Sequence, residues 1–237
     1  MNICNQIKDI ILSQLSDIIS LRNTGRLKND NTFVSDGDLL CQQIIEDTLS
    51  SLLPNLMIIS EEKVNNCSSL SDYDYIATID PIDGTENFVS GLKEWGIGVS
   101  IYKDMRHLES MILLPELGLC LQTGDKIDRY TNSRICGLSS YMKSDDFTGL
   151  DRNYEYRIMG CCMYNMHNVI TGSYARFEHL KGCYSWDILP GMNLALEQGL
   201  KVIIDDKIYN GEFLLPEKRY RFSVFANDNQ NTSNRLS

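Results

Sequence analysis

The segment Asp80-Pro81-Ile82-Asp83-Gly84-Thr85-Glu86-Asn87-Phe88 follows directly on the apolar run from Tyr73 to Ile79, and it constrains this chain more than any other stretch. A short apolar run bounded by turn residues reads as a buried strand, so Asp80 is delivered to the end of a sheet. Pro81 is expected to force a turn that sets Asp83 down close to Asp80. Two carboxylates and the Ile82 carbonyl can then converge on hard cations, which prefer oxygen ligands. Gly84 and Thr85 are expected to open a helix whose free N–H groups suit a phosphate. A cation site beside an anion site is what two-metal phosphoryl hydrolysis requires. Asp-Pro and Asp-Gly are each ordinary turn chemistry; it is their density here that argues for a site.

Two further segments carry carboxylates, Ile59-Ser60-Glu61-Glu62 after the apolar run from Leu56, and Trp186-Asp187-Ile188-Leu189-Pro190-Gly191. Alone, the first reads as a solvated turn and the second as a core indole followed by a helix N-cap. Charge adds a constraint: 22 Lys and Arg against 32 Asp and Glu give a net charge of -10. No broad basic surface is available to neutralise a nucleic-acid backbone. An acidic surface repels a phosphate ester unless local cations intervene, which points to bound metal.

Apolar spacings of three and four predict helices over 3–21 (Ile3, Ile7, Ile10, Ile11, Leu15, Ile18) and from Leu40 to Leu53, stopped by Pro54. Strands are expected at 56–59, 73–79, 96–102, 108–114 and 117–123, the last two a hairpin across Pro115-Glu116. The polar stretch 125–153 is expected to be loop around at most one short element. Strands at 156–159 and 175–178, helices at 161–171 and 187–198, and strands near Val202 and Phe222 complete the pattern, with a frayed end at 227–237. This is one domain over 1–237, an α+β half of about 1–120 and an α/β half of about 121–237. Cys4, Cys41, Cys67, Cys120, Cys136, Cys161, Cys162 and Cys183 lack metal spacing and read as free thiols of a reducing cytoplasm. No run is long and apolar enough to span a membrane. His107, His167 and His179 are isolated and read as surface or core residues rather than ligands. The adjacent pair Cys161-Cys162 sits at a predicted helix start, where a thiol can be acidified, but adjacent cysteines in a chain of this kind read as packing.

Asp80 to Phe88 matches the DPxDGTxNF signature of the inositol monophosphatase family, with the Glu61-Glu62 and Trp186-Asp187 motifs in family order. Val34-Ser35-Asp36-Gly37-Asp38 resembles the family's VTxxD stretch, and Arg157 to Gly160 with Asn165 and Thr171-Gly172 resembles its RxxGSAAxNxxxxATG helix. The resemblance implies the layered αβαβα sandwich of the sugar phosphatases. It implies that Glu61, Asp80 and the Ile82 carbonyl bind one Mg2+, that Asp80, Asp83 and Asp187 bind a second, and that a third, weaker ion sits near Glu61. It further implies that Glu61 and Thr85 activate a water, that Asp38 hydrogen-bonds the Thr85 hydroxyl, and that the Gly84 and Thr85 amides hold phosphate. The substrate implied is inositol monophosphate or a related sugar or polyol phosphate, with Li+ inhibition and a homodimer as family traits.

The chain departs from this pattern in four places. Cys161 stands where the helix usually opens with Ser or Thr, Glu197-Gln198-Gly199-Leu200 replaces EAGG, and the stretch between Thr123 and Arg157 is short. The substrate-contacting DAYxE appears as Ala175-Arg176-Phe177-Glu178, which makes Arg176 and Glu178 candidate substrate contacts. A nucleoside 3′,5′-bisphosphate or fructose bisphosphate suits the same metal site, and a low-activity binding or regulatory protein is the alternative from another class.

Overall fold

The chain is described by a computed structural model over residues 2–28, 32–63, 70–140 and 142–226. Cys67 and the tail 227–237 lie outside these residues. Ile3, Ile7 and Ile11 form the buried stripe of α1 (Ile3–Ser13). The single helix expected over 3–21 is broken at Gln14, and α2 (Leu15–Ser20) follows. The Gln14 N–H is shared between the Ile10 and Ile11 carbonyls at 3.2 and 3.1 Å, the three-centre bonding of a helix end. Short antiparallel strands β1 (Arg26–Leu27) and β2 (Phe33–Val34) lead into α3 (Asp36–Leu52). Its N-terminus is closed reciprocally: Ser35 Oγ accepts from the Asp38 N–H at 3.3 Å, and Asp38 Oδ2 accepts from the Ser35 N–H at 2.7 Å.

Strands β3 (Leu56–Ser60), β4 (Tyr75–Asp83), β5 (Gly96–Lys103), β6 (Arg106–Leu114) and β7 (Leu119–Gln122) form a five-stranded sheet in that order. β3 and β4 run parallel with Ser60 opposite Ile79, so the residues that follow, Glu61 and Asp80, emerge at the same end. The turn expected at Pro81 does not occur. β4 continues to Asp83 and absorbs the proline in a bulge, Asp80 pairing with Gly98 and Asp83 with Gly96. A proline has no N–H for the ladder, and a bulge is where a strand tolerates that loss. Gly84, at φ +81°, then caps the one-turn helix α4 (Thr85–Val89). Any side chain there would be strained, and its Cβ would lie 3.0 Å from that of Cys161.

The second sheet contains β8 (Ile135–Leu138), β9 (Glu155–Ile158), β10 (Arg176–Cys183), β11 (Lys201–Ile204), β12 (Lys207–Ile208) and β13 (Tyr220–Phe225), ordered β12-β11-β13-β10-β8-β9. Helices α5 (Cys162–Thr171) and α6 (Ser185–Glu197) lie between the sheets, α6 packing on β4, β5 and β6 and also on β11 and β13. Met163, Met166, Val169, Ile188, Leu189 and Met192 are fully buried there, while α1 and α3 cover the outer face of the five-stranded sheet through Ile7, Ile11, Ile45 and Leu49. The result is the expected layered α/β architecture. Its β8 was hidden in a polar stretch: four residues flanked by loop gain their stability from parallel pairing with β10 and β9, and no local periodicity records that. A 3-10 turn, Ser144–Phe147, punctuates the connection from β8 to β9. Among the described residues no helix is long and apolar enough to cross a membrane.

Candidate metal centre

Glu61, Asp80 and Asp187 each present a carboxylate oxygen within 4.8 Å of the others. The β3–β4 register delivers the first two, and the first turn of α6 delivers the third. Asp187 is not an N-cap. It lies three residues into the helix and accepts from the Tyr184 N–H at 2.7 Å through Oδ2, which fixes the carboxylate. Asp80 is 1% exposed, and no hydrogen-bond partner reaches either of its oxygens among the described residues. A buried carboxylate without donors is costly unless a cation compensates it. An oxygen-only donor set of this kind suits a hard divalent cation.

Asp83 stands beside this cluster rather than within it. Its Oδ2 accepts from the Cys161 thiol at 3.0 Å and from the Met163 N–H, so the first turn of α5 holds one oxygen of the carboxylate. The Ile82 carbonyl accepts from the Thr85 hydroxyl at 2.9 Å, and its second lone pair stays available. Thr85 Oγ1 also lies 3.1 Å from Asp38 Oδ1. Asp38 is fully buried and joins the helix cap at Ser35 to this hydroxyl. No side chain caps α4, so its first-turn N–H groups are not taken up by a capping side chain.

Burial raises the carboxyl pKa values first, and mutual repulsion raises them further. Glu61 rises to about 8, with Asp187 the leading repulsive neighbour, and Asp187 rises to about 7, mainly against Asp83. Asp80 is pushed well above the carboxylate range by burial and by Glu61, Asp83 and Asp187. Asp83 reaches only about 6, because its bonds to Cys161 and Met163 favour the anion against burial. Asp38 is raised by burial, with the Ser35 and Thr85 bonds opposing. Without divalent cations, this centre holds protons at neutral pH.

One functional contact was not legible in the sequence. Lys28, in the β1–β2 hairpin, places its Nζ 3.2 Å from Glu61 and 2.6 Å from Glu62, an ammonium where a metal ion would bring positive charge. A lone lysine in a polar stretch gives no signal of this. Cys161 also does more than pack, since its thiol donates to Asp83. The helix start does not acidify it: burial and Asp83 hold Cys161 well above the usual thiol range. Arg176 and Glu178, both on β10, pair with one another at 2.5 Å, and the guanidinium lies over the Phe225 ring at 4.5 Å. His107 contacts Ser110 Oγ at 2.8 Å, and burial lowers His167 and His179 to about 4.

A model of the inositol monophosphatase family matches residues 1–134. The 3′(2′),5′-bisphosphate nucleotidase CysQ of Aggregatibacter actinomycetemcomitans is 34% identical over 99 residues, 40% of this chain and 36% of its own length. Nus factor SuhB of Salmonella typhimurium is 31% identical over 74 residues, 31% of this chain and 27% of its own. The matched stretches thus span about a third of these curated relatives. A staphylococcal inositol monophosphatase in a LiCl-soaked inhibitory complex has a TM-score of 0.78 at 20% identity, covering 94% of this chain and 88% of that one. An IMPase/NADP phosphatase complexed with NADP and Ca2+ gives 0.76 at 22%, with the same coverage. At these identities the structural likeness establishes the fold.

Proposed function

The chain belongs to the inositol monophosphatase family, whose model matches more than half of its length, and from that premise we propose that it is a Mg2+-dependent phosphomonoesterase of inositol monophosphate or a related sugar or polyol phosphate. The observation that carries this reading is the buried, donorless Asp80 between Glu61 and Asp187. Glu61, Asp80 and the Ile82 carbonyl would hold one Mg2+; Asp80, Asp83 and Asp187 would hold a second; a third, weaker ion would lie near Glu61. When bound, the cations supply Lewis-acid chemistry toward water and the phosphoryl oxygens.

The remaining work falls to the protein. Glu61 takes up the proton of the attacking water, the Thr85 hydroxyl oxygen accepts a hydrogen bond from that water, and Asp38, accepting the Thr85 proton, strengthens that oxygen as an acceptor. The Gly84 and Thr85 amides hold phosphate oxygens at the α4 terminus. Lys28 neutralises Glu61 and Glu62 until cations displace it. Arg176 and Glu178 meet the substrate hydroxyls. The departing alcohol takes its proton from solvent. Inhibition by Li+, a cytoplasmic location and a homodimer go with this reading.

The match to a bisphosphate nucleotidase favours a second reading on the same centre, removal of the 3′-phosphate of a nucleoside 3′,5′-bisphosphate. The test is phosphate release from inositol 1-phosphate, sugar phosphates, a nucleoside 3′,5′-bisphosphate and fructose 1,6-bisphosphate, with and without Mg2+ and Li+. Release confined to the nucleotide selects the second reading. No release from any member of the panel with Mg2+ overturns both and leaves a binding or regulatory protein.

A further inference from the structure

The turn that leads into α6 carries a cation that no carboxylate of the described residues claims. Cys183 pairs with Tyr220 across the antiparallel β10–β13 ladder, which sets the residues just outside that pair, Tyr184 and Arg219, side by side. The Arg219 Nε–H donates to the Gly182 carbonyl at 3.0 Å, and the guanidinium lies over the Tyr184 ring at 5.2 Å. Tyr184 is itself stacked on Trp186, with ring centroids 4.7 Å apart and planes 19° apart. Its N–H reaches Asp187 Oδ2 at 2.7 Å. Arg219 is thus fixed to the same short segment that fixes a carboxylate of the metal centre.

Its basic neighbours are paired. Lys218 lies 3.7 Å from Asp205, Arg221 lies 3.5 Å from Asp206, and Arg176 is held by Glu178. Arg219 is exposed, and among the described residues no carboxylate stands at ion-pair distance from it. A guanidinium held through Nε and one aromatic face leaves its two terminal amino groups as a planar fork, the geometry that takes a phosphate through two parallel hydrogen bonds.

We infer that Arg219 selects doubly phosphorylated substrates: while one phosphate lies on the metal centre, its guanidinium takes a second phosphate of the same molecule. This rests on the phosphatase reading and narrows its substrate class. A monophosphate leaves the fork in water, whereas a bisphosphate is bound at both ends. With cations in place the carboxylates no longer repel the second anion, and Arg219 attracts it. The shared chemistry is the second phosphate; a nucleoside 3′,5′-bisphosphate and fructose 1,6-bisphosphate differ in what separates the two.

The test measures kcat/KM of wild type, R219Q and R219K with Mg2+ on inositol 1-phosphate, adenosine 3′,5′-bisphosphate and fructose 1,6-bisphosphate. R219Q is expected to lower the ratio of bisphosphate to monophosphate kcat/KM by about tenfold to a hundredfold, mainly through KM, the scale of one lost charge-assisted contact. R219K, which keeps the charge, recovers part of the ratio. The bisphosphate whose ratio falls identifies the spacing that Arg219 accepts. In parallel, the rise in melting temperature given by each bisphosphate is compared with that given by inorganic phosphate, a readout independent of turnover. An unchanged ratio in R219Q, equal losses on all three esters, or a wild type that hydrolyses inositol 1-phosphate alone overturns the inference. If no ester is hydrolysed but R219Q abolishes the extra melting rise, the phosphatase reading falls and the Arg219 contact stands.

Discussion

The two sheets treat their charged residues differently. At the end of the five-stranded sheet, parallel pairing of β3 and β4 leaves Glu61 and Asp80 together with too few donors. On the six-stranded sheet, Arg176 and Glu178 neutralise each other, and β10 shifts register between His179 and Cys183. The first region is frustrated without cations, which is what a binding centre for them requires. The second is satisfied as it stands, so a substrate meeting Arg176 or Glu178 must compete with their pairing. An under-compensated edge suits cation binding, and a pair that must be parted suits selection.

The largest expected effect breaks the first region. D80N is expected to lower phosphate release by on the order of a thousandfold at saturating Mg2+, while raising the melting temperature in EDTA because folding no longer requires a buried carboxylate to take up a proton. Turnover within tenfold of wild type would remove Asp80 from the centre. D38N is expected to cost about a hundredfold in kcat, and S35A separates its two jobs. That variant loses the Ser35 Oγ half of the cap, worth about 1 kcal/mol, while Asp38 keeps its contact with Thr85. Equal losses in kcat would show that Asp38 acts through the helix alone.

A pH series sharpens the contrast in electrostatics. Glu61 at about 8 and Asp187 at about 7 hold protons that the unfolded chain has released above about 4. Folded stability contributed by them is therefore lost as pH rises toward 8. His167 and His179, lowered to about 4, act in the opposite sense below about 6.5. Between about pH 6.5 and 8 the carboxylate term stands alone, and the melting temperature in EDTA is expected to fall by about 2–4 °C per kcal/mol lost. Saturating Mg2+ should flatten that slope. The smallest effect belongs to the second region: E178Q is expected to change KM across the substrate panel by no more than about tenfold, the scale of a methylene-sized discrimination, with kcat and Mg2+ dependence unchanged. A loss of Mg2+ dependence would place Glu178 in the metal centre.

The motif from Asp80 to Phe88 was legible because strand, carboxylates and helix start are contiguous, and the chain order of Glu61, Asp80 and Asp187 survived intact. Lys28 was not legible, since its partners lie more than thirty residues away. Nor was β8, whose partners are supplied by distant strands, nor the bulge that replaces a turn at Pro81.

By itself the sequence determined the longer helices and strands and which of their ends carry carboxylates, because apolar periodicity and capping are local properties. Only the tertiary structure decided which charges go uncompensated and that one Asp83 oxygen belongs to α5. Those outcomes depend on distances between segments remote in the chain, and on the water excluded when they pack.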